Sequence, residues 1–318
     1  MSARPAVALF TPVSLVFALL ALLALLAVPS SARATYSITA ADTETKEVGG
    51  AGASCVPYEV VRIYGVAPGH GAVNAQAYFD DEALAQAVDL LAADVDPASV
   101  LAAITDPEAH PVAPKMQWGL VDASGRSARS TGPEAQPYAA DIGGSTAEGR
   151  FVFTTQGNIL TSGRVLDQAR DGFVMGGCDL ADRLVRGLEM AGAEAEGDSR
   201  CTPDGRPAKS AYVDVTGPEG ARLHISVPDV SPADPIPLLR AEYDAWRLDH
   251  PCPVAADPPV MPAGDVGSEG ACSVVQGRAG GAGSGLLALF IAWGAAALSR
   301  RARRYSPKLT IAITTRGR

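Results

Sequence analysis

Lysine and histidine are both scarce in this 318-residue chain. Between residues 35 and 271 the only lysines are Lys46, Lys115 and Lys209, and the four histidines, His70, His110, His224 and His250, are scattered. No CxxC or HxxxH spacing occurs, so the pattern of a thiolate or helical-histidine metal site is missing, and neither a metal nor a cofactor is expected. His224 alternates with Leu223 and Ile225 in RLHISV and reads as a solvent-facing strand residue. Positive charge is lacking where nucleic acid would need it. Residues 35–271 hold 16 basic against 35 acidic side chains, a net −19 that repels a phosphate backbone, so nucleic acid is not an expected partner. Acid in turn is missing from both ends, since none precedes Asp42 and none follows Glu269.

The acid-free ends read as addresses. An apolar run from Val13 to Val28 follows Arg4 and precedes Ala32 and Ala34, the small-residue spacing of a signal peptidase site, and cutting after Ala34 makes Thr35 the first residue. Near the other end, Gly285–Leu298 and the glycine-rich AGGAGS before it give about 20 residues able to cross a bilayer. Arg300, Arg301, Arg303, Arg304, Lys308, Arg316 and Arg318 would hold the following segment in the cytoplasm. Cys272, the glycine-rich apolar helix and the arginine cluster together resemble the myxobacterial C-terminal sorting signal. That resemblance implies cleavage near the cysteine and surface anchoring; the chain departs from the pattern by continuing as YSPKLTIAITTRGR. The expected organisation is a signal peptide over 1–34, a folded domain over 35–250 and a Pro/Gly-rich linker over 251–284. A transmembrane or sorting helix over 285–304 and a basic tail over 305–318 complete it. The protein would be exported to the cell envelope or surface, anchored through the C-terminal helix or released by processing, with a homo-oligomer left open.

Cys55, Cys178, Cys201 and Cys252 are an even set, and in an exported chain they read as two disulfides. Cys178 and Cys201 flank one helix and a turn, which suggests pairing them and leaves Cys55 with Cys252.

Hydrophobic residues make up 47% of the chain, ample for a core. TYSITAAD alternates as a half-buried strand, with Tyr36, Ile38 and Ala40 on one face, and VGGAGASCV can return beside it after the turn DTETKE. YEVVRIYG and GAVNAQAYF suggest a further strand pair. Asp80 caps a helix carrying Leu84, Val88 and Leu91 on one side, and Asp96 with Pro97 opens another. KMQWGLVDASGRSARSTG reads as a hairpin, and residues 132–149, rich in Pro, Gly, Ala and acids, as a surface insertion. After the strand RFVFTTQGN, Ser162 is placed to cap a helix, and CDLADRLVRGLEMAGA forms the next. Strands AKSAYVDV and RLHISV and a helix around PLLRAEYDAWRL close the domain. Helices gathered between antiparallel hairpins fit an α+β fold, a four-layer αββα sandwich, better than a parallel sheet.

A leading Thr35 would hold a hydroxyl and an α-amine of ordinary pKa about 8 on one residue, enough to make a nucleophile with its own general base. TYSITAADTETKEVGGAGAS, GLVDASGRSARSTG, TTQGNIL, LADRLVRGLEMAGAEAEGDSR and KSAYVDV resemble, in order and rough spacing over residues 35–250, the Ntn-hydrolase-like family labelled domain of unknown function 1028. The resemblance implies the αββα sandwich of Ntn hydrolases and puts Thr35 where that superfamily keeps its nucleophile. The family has no assigned reaction; some relatives carry a peptidoglycan-binding module. Such a protein would take a small-molecule or peptide amide, with cell-wall material among the candidates. Gln156 and Asn158 in TQGN carry amide donors at a strand end where an oxyanion hole could be built, the leading alternative being that Asn158 simply makes the turn into the next helix. Asp198 and Arg200 in GDSR suit orienting the amine or closing a surface turn. Ser54, Gln76 and Ser210 are polar residues inside apolar strands, facing either a cleft or the core. The alternative is a non-catalytic cell-surface scaffold or binding protein on the same fold.

Overall fold

The first strand, β1 (Thr35–Asp42), alternates as its sequence suggests, with Tyr36, Ile38 and Ala40 packed among helix side chains. Its hydroxyl face is not solvated, however. In the computed structural model, which describes residues 35–253, every residue of β1 is buried, because a second sheet covers Ser37 and Thr39. β2 (Val48–Ser54) returns antiparallel, pairing Ser54 with Thr35 and Val48 with Ala41. Its glycines allow close approach: a Cβ on Gly50 would lie 2.7 Å from the Tyr64 ring of the facing layer.

Two antiparallel sheets form a mixed α+β fold. The larger runs β10 (Gly220–Val227), β9 (Ser210–Gly217), β2, β1, β8 (Phe151–Asn158), β7 (Ala140–Ser145), so β1 is an interior strand. The smaller runs β3 (Tyr64–Ala67), β4 (Gly71–Gln76), β5 (Gln117–Asp122), β6 (Ser127–Thr131). α1 (Asp81–Ala92) and α2 (Pro97–Ile104) bury Leu91, Val100 and Ile104 against Trp118 and Leu120 of the smaller sheet. Asp80 and Asp96 cap these two helices, each accepting two backbone N–H groups of the first turn. α3 (Arg164–Val174), α4 (Leu180–Ala191) and α5 (Pro235–Asp249) cover the larger sheet, where Phe173, Leu184 and Tyr243 join Ile38 and Phe153. Between the sheets Asn74 donates to Ile38 O at 3.0 Å and to Thr39 Oγ1 at 2.9 Å, and Tyr212 donates to Asn74 Oδ1 at 2.5 Å.

Four expectations change. The insertion expected over 132–149 contains β7, in register with β8 from Ala140↔Gly157 to Ser145↔Val152. An edge strand with one neighbour needs no apolar run, so ADIGGS hides it. YEVVRIYG becomes a strand only from Tyr64, because Val60–Ile63 forms a 3-10 turn. Gly163, not Ser162, occupies the N-cap of α3, although Ser162 Oγ still accepts the Arg164 N–H at 3.1 Å. The disulfides join Cys55 to Cys201 and Cys178 to Cys252, with Cα separations of 5.7 and 5.6 Å. The pairing of Cys178 with Cys201 fails. Cys178 precedes α4 and Cys201 follows it: the 12-residue helix carries the chain about 18 Å away, and the segment after it docks on the ends of β2 and β8 through Asp198 and Ser199, which sets Cys201 beside Cys55.

The expected signal peptide, most of the linker, the transmembrane or sorting helix and the basic tail lie outside the described residues. Among the described residues no helix is long and apolar enough to cross a membrane, and no cluster of metal-ligating side chains occurs. Disulfides belong to oxidising compartments and are consistent with export.

Candidate functional site

Thr35 opens β1 between two neighbours, Ser54 at the end of β2 and Asn158 at the end of β8. Its Oγ1 donates to Ser54 Oγ at 3.1 Å. Ser54 and Asn158 are fully buried and Thr35 is 2% exposed. In the uncut chain its nitrogen is the amide that follows Ala34.

Three glutamines tie this end of the larger sheet to the smaller one. Gln76 Nε2 donates to Thr35 O at 3.0 Å, to Gln156 O at 3.2 Å and to Gln117 Oε1 at 3.2 Å. Gln156 Nε2 donates to Ser37 Oγ at 2.6 Å, and Ser37 passes its own hydrogen to Gln76 Oε1 at 2.6 Å. Gln117 Nε2 reaches Gly157 O at 2.8 Å. The amide of Gln156 is thus engaged beside the strand that carries Thr35. Gly119 makes room for it, since a Cβ there would sit 2.1 Å from Gln156 Oε1. A buried network of this kind fixes its members, because each bond is strong at low dielectric and each loss leaves a polar atom unpaired.

The backbone is strained on both sides. Ala77, directly after Gln76, has φ 72°, and the Tyr78 N–H closes onto Gln76 O at 3.0 Å as a γ-turn. Ile159, directly after Asn158, has φ 52°, a left-handed conformation that β-branched residues avoid. Each costs about 1–3 kcal/mol and persists only where surrounding contacts impose it. At Ile159 those contacts come from Ser199, whose N–H and Oγ donate to Ile159 O at 3.0 and 2.8 Å, and from Gln136, whose O accepts the Ile159 N–H at 3.1 Å.

Asp198 is fully buried. Its Oδ2 accepts the Cys55 N–H at 2.7 Å, so the carboxylate is directed at the residue after Ser54, and Arg200 pairs with it at 2.8 Å. Tyr36 lies on the helix side of β1, where burial, with Asp234 and Asp198 adding to it, pushes its phenol well above the usual range. Lys46 Nζ donates to Ala123 O and Lys115 sits over the Tyr78 ring, while Lys209 donates its backbone N–H to Ser54 O at 2.9 Å. His224 pairs with Asp214 at 2.9 Å at the β10 edge of the larger sheet. Beside Thr35 a cavity of about 10 Å³, roughly one water, is lined by Val56, Tyr58, Ile63, Gln76 and Phe79. Arg62 stands at its rim with its guanidinium 4.6 Å from the Phe79 ring centre. Thr35, Gln156, Asn158 and Asp198 therefore gather around one strand end. Gln117 and Ser37 were not singled out by sequence; an amide between Met116 and Trp118 in an apolar run was the signal for the first.

Residues 35–238 match the model of a family of unknown function, DUF1028. The chain belongs to the DUF1028 family. Among solved structures it is similar to a DUF1028 protein from Silicibacter pomeroyi, with a TM-score of 0.55 and 22% identity over 67% of this chain and 89% of that one. At that identity the likeness is one of fold. No curated protein matches the chain. The DUF1028 match begins at Thr35, the residue that the expected cleavage would expose, and extends to Leu238 within α5.

Proposed function

We propose that this DUF1028 protein is an exported, surface-anchored amidohydrolase of the Ntn type, with Thr35 as nucleophile once residues 1–34 are removed. The observation that carries the reading is the Thr35 hydroxyl, 3.1 Å from Ser54 Oγ, at the start of an interior strand inside a buried network of uncharged hydrogen bonds. Two antiparallel sheets stacked with helices on both outer faces also suit the αββα sandwich of Ntn hydrolases.

In the uncut chain the Thr35 nitrogen is an amide and cannot take a proton. After the cut it is an amine of ordinary pKa about 8, able to accept the hydroxyl hydrogen, directly or through Ser54, while Oγ1 attacks an amide carbonyl. The C–N bond then breaks, the proton passes to the departing amine, and water hydrolyses the Thr35 ester. Asn158, opposite Thr35 in the ladder, would supply a side-chain amide to the oxyanion. Gln156 holds Ser37, and Asp198 holds the backbone beside Ser54. The substrate would be a small-molecule or peptide amide, including cell-wall material.

The burial of Thr35 and the small cavity beside it favour a second reading, a surface scaffold or binding protein without catalysis. A threonine-reactive β-lactone separates the two. Catalysis predicts labelling of the wild type at Thr35, labelling of Thr35→Ser, and at least a hundredfold loss in a folded Thr35→Ala. Equal labelling of wild type and Thr35→Ala, or none of either, supports the scaffold.

A further inference from the structure

The two strand ends that flank Thr35 are held by one short loop. On the β2 side, Asp198 Oδ2 accepts the Cys55 N–H at 2.7 Å, and Cys201 is joined to Cys55 through the disulfide. On the β8 side, Ser199 binds Ile159 O through both its N–H and its hydroxyl, and Leu160 forms a bridge with Asp198. Cys201 and Asp198 are both fully buried, and the Cys201 N–H returns to Asp198 O at 2.9 Å, so the four residues are themselves a closed turn. Ser54 and Asn158, the two neighbours of Thr35, are each one residue from a point where this turn grips. Ile159 is in a left-handed conformation with its N–H on Gln136 O at 3.1 Å, and β2 ends at Ser54, whose O accepts the Lys209 N–H at 2.9 Å, so each point lies where a strand gives way to irregular backbone.

We infer that Asp198–Cys201 is the positioning clamp of the Thr35 site, and that its closure by Cys55–Cys201 makes assembly of that site depend on oxidation. In that step the two thiols exchange with a disulfide donor, which leaves as a dithiol carrying their two electrons and two protons. The inference rests on the reading of Thr35 as nucleophile. Asp198, Ser199 and Cys201 are positioning residues: they fix the backbone on which Ser54 and Asn158 stand and touch no substrate. The second disulfide, Cys178–Cys252, ties the start of α4 to the segment after α5 and has no part in the clamp, so it serves as the internal control.

The test compares the processed protein, recovered with Thr35 as its first residue, with Cys55→Ser/Cys201→Ser and with Cys178→Ser/Cys252→Ser. Each double variant lacks one disulfide. Second-order rates of β-lactone labelling are read across pH 6–9, well below the melting temperature of each. The clamp variant is expected to label at least tenfold more slowly, with its pH midpoint displaced, while the control stays within twofold of wild type. Hydrogen exchange of peptides covering residues 50–56 and 157–161 is expected to rise in the clamp variant and not in the control. Wild-type labelling and exchange in the clamp variant overturn the inference, as does an equal loss of labelling in both variants. If the wild type is not labelled, the nucleophile reading fails. Exchange then decides the clamp alone, which stands if those two peptides loosen selectively and falls if they do not.

Discussion

The two ends of β1 are closed by different chemistry. At the Asp42 end the polar groups are charged and paired. Asp42 is fully buried and accepts Arg150 Nε at 3.0 Å, Arg150 Nη2 at 2.6 Å and the Glu44 N–H at 3.0 Å. Glu47, in the same turn, pairs with Arg222 at 2.9 Å. Arg222 reaches on to Asp179 at 2.7 Å, and Asp179 also takes Arg247 at 2.8 Å. At the Thr35 end the first ring of partners consists of hydroxyls and amides, and the backbone on either side is strained at Ala77 and Ile159. Each end carries its own disulfide, Cys178–Cys252 beside Asp179 and Cys55–Cys201 beside Ser54. The contrast separates two uses of buried polarity. A buried carboxylate must be matched by a cation, and once matched it is locked. A hydroxyl that donates to a neutral acceptor, as Thr35 does to Ser54, keeps a hydrogen that a base can remove, at the cost of strain elsewhere.

The largest test of that contrast is removal of a charge from the locked end. Asp42→Ala leaves Arg150 beside a buried void, and breaking such a pair costs about 3 kcal/mol, since Arg150 is partly reached by solvent. Urea unfolding measures the loss. At a temperature where the variant is folded, β-lactone labelling of Thr35 is expected to stay within twofold of wild type; labelling that fell with stability would mean the two ends act as one unit.

Acid sharpens the comparison further. Burial alone would raise the Asp179 carboxyl, but hydrogen bonds from Arg247, the Asp182 N–H and Arg222 outweigh it and lower the pKa from 3.8 to about 2. A carboxyl with a depressed folded pKa stabilises the protein fully above its unfolded value and loses that contribution as pH falls through the folded one. Between pH 4 and 2 the Asp179 contribution, about 2 kcal/mol, is therefore expected to disappear. Unfolding free energies of wild type and Asp179→Asn should converge over that interval; a constant gap would mean that Asp179 does not titrate there.

The sequence made local features legible and long-range ones less so. Asp80, and Asp96 followed by Pro97, are cap signals spelled out within three residues, and both helices start as expected. The alternation in TYSITAAD identified the faces of β1 but not that both are covered, because Ser37 and Thr39 look the same facing water or facing Gln76 and Gly119. Thr35, Asn158, Gln156 and Asp198 were each visible as isolated polar residues. Their convergence depends on a register spanning more than a hundred residues, which no local pattern encodes. The disulfides failed for the same reason: nearness in sequence favoured Cys178 with Cys201, and the docking of Asp198–Cys201 beside Cys55, more than a hundred residues away, decided otherwise.

The smallest expected change in stability is the one that bears most directly on the Thr35 end. Ser54→Ala removes the acceptor of the Thr35 hydroxyl, and a single neutral hydrogen bond contributes about 1 kcal/mol net. The alanine still fits β2, whose other residues are glycine, alanine and valine, so the strand and its pairing to Ser210 should persist. If Ser54 carries the hydroxyl hydrogen toward the amine, labelling of Thr35 should nevertheless fall about tenfold or more, within the usual contribution of a positioned proton-transfer group. Ser54→Thr, which restores a hydroxyl, should recover part of the rate. Stability and reactivity then move in opposite proportion to their behaviour in Asp42→Ala, where folding weakens and labelling holds. Unchanged labelling in Ser54→Ala would remove Ser54 from the chemistry and leave it as one more satisfied buried hydroxyl, and the distinction between the two ends of β1 would then rest on charge alone.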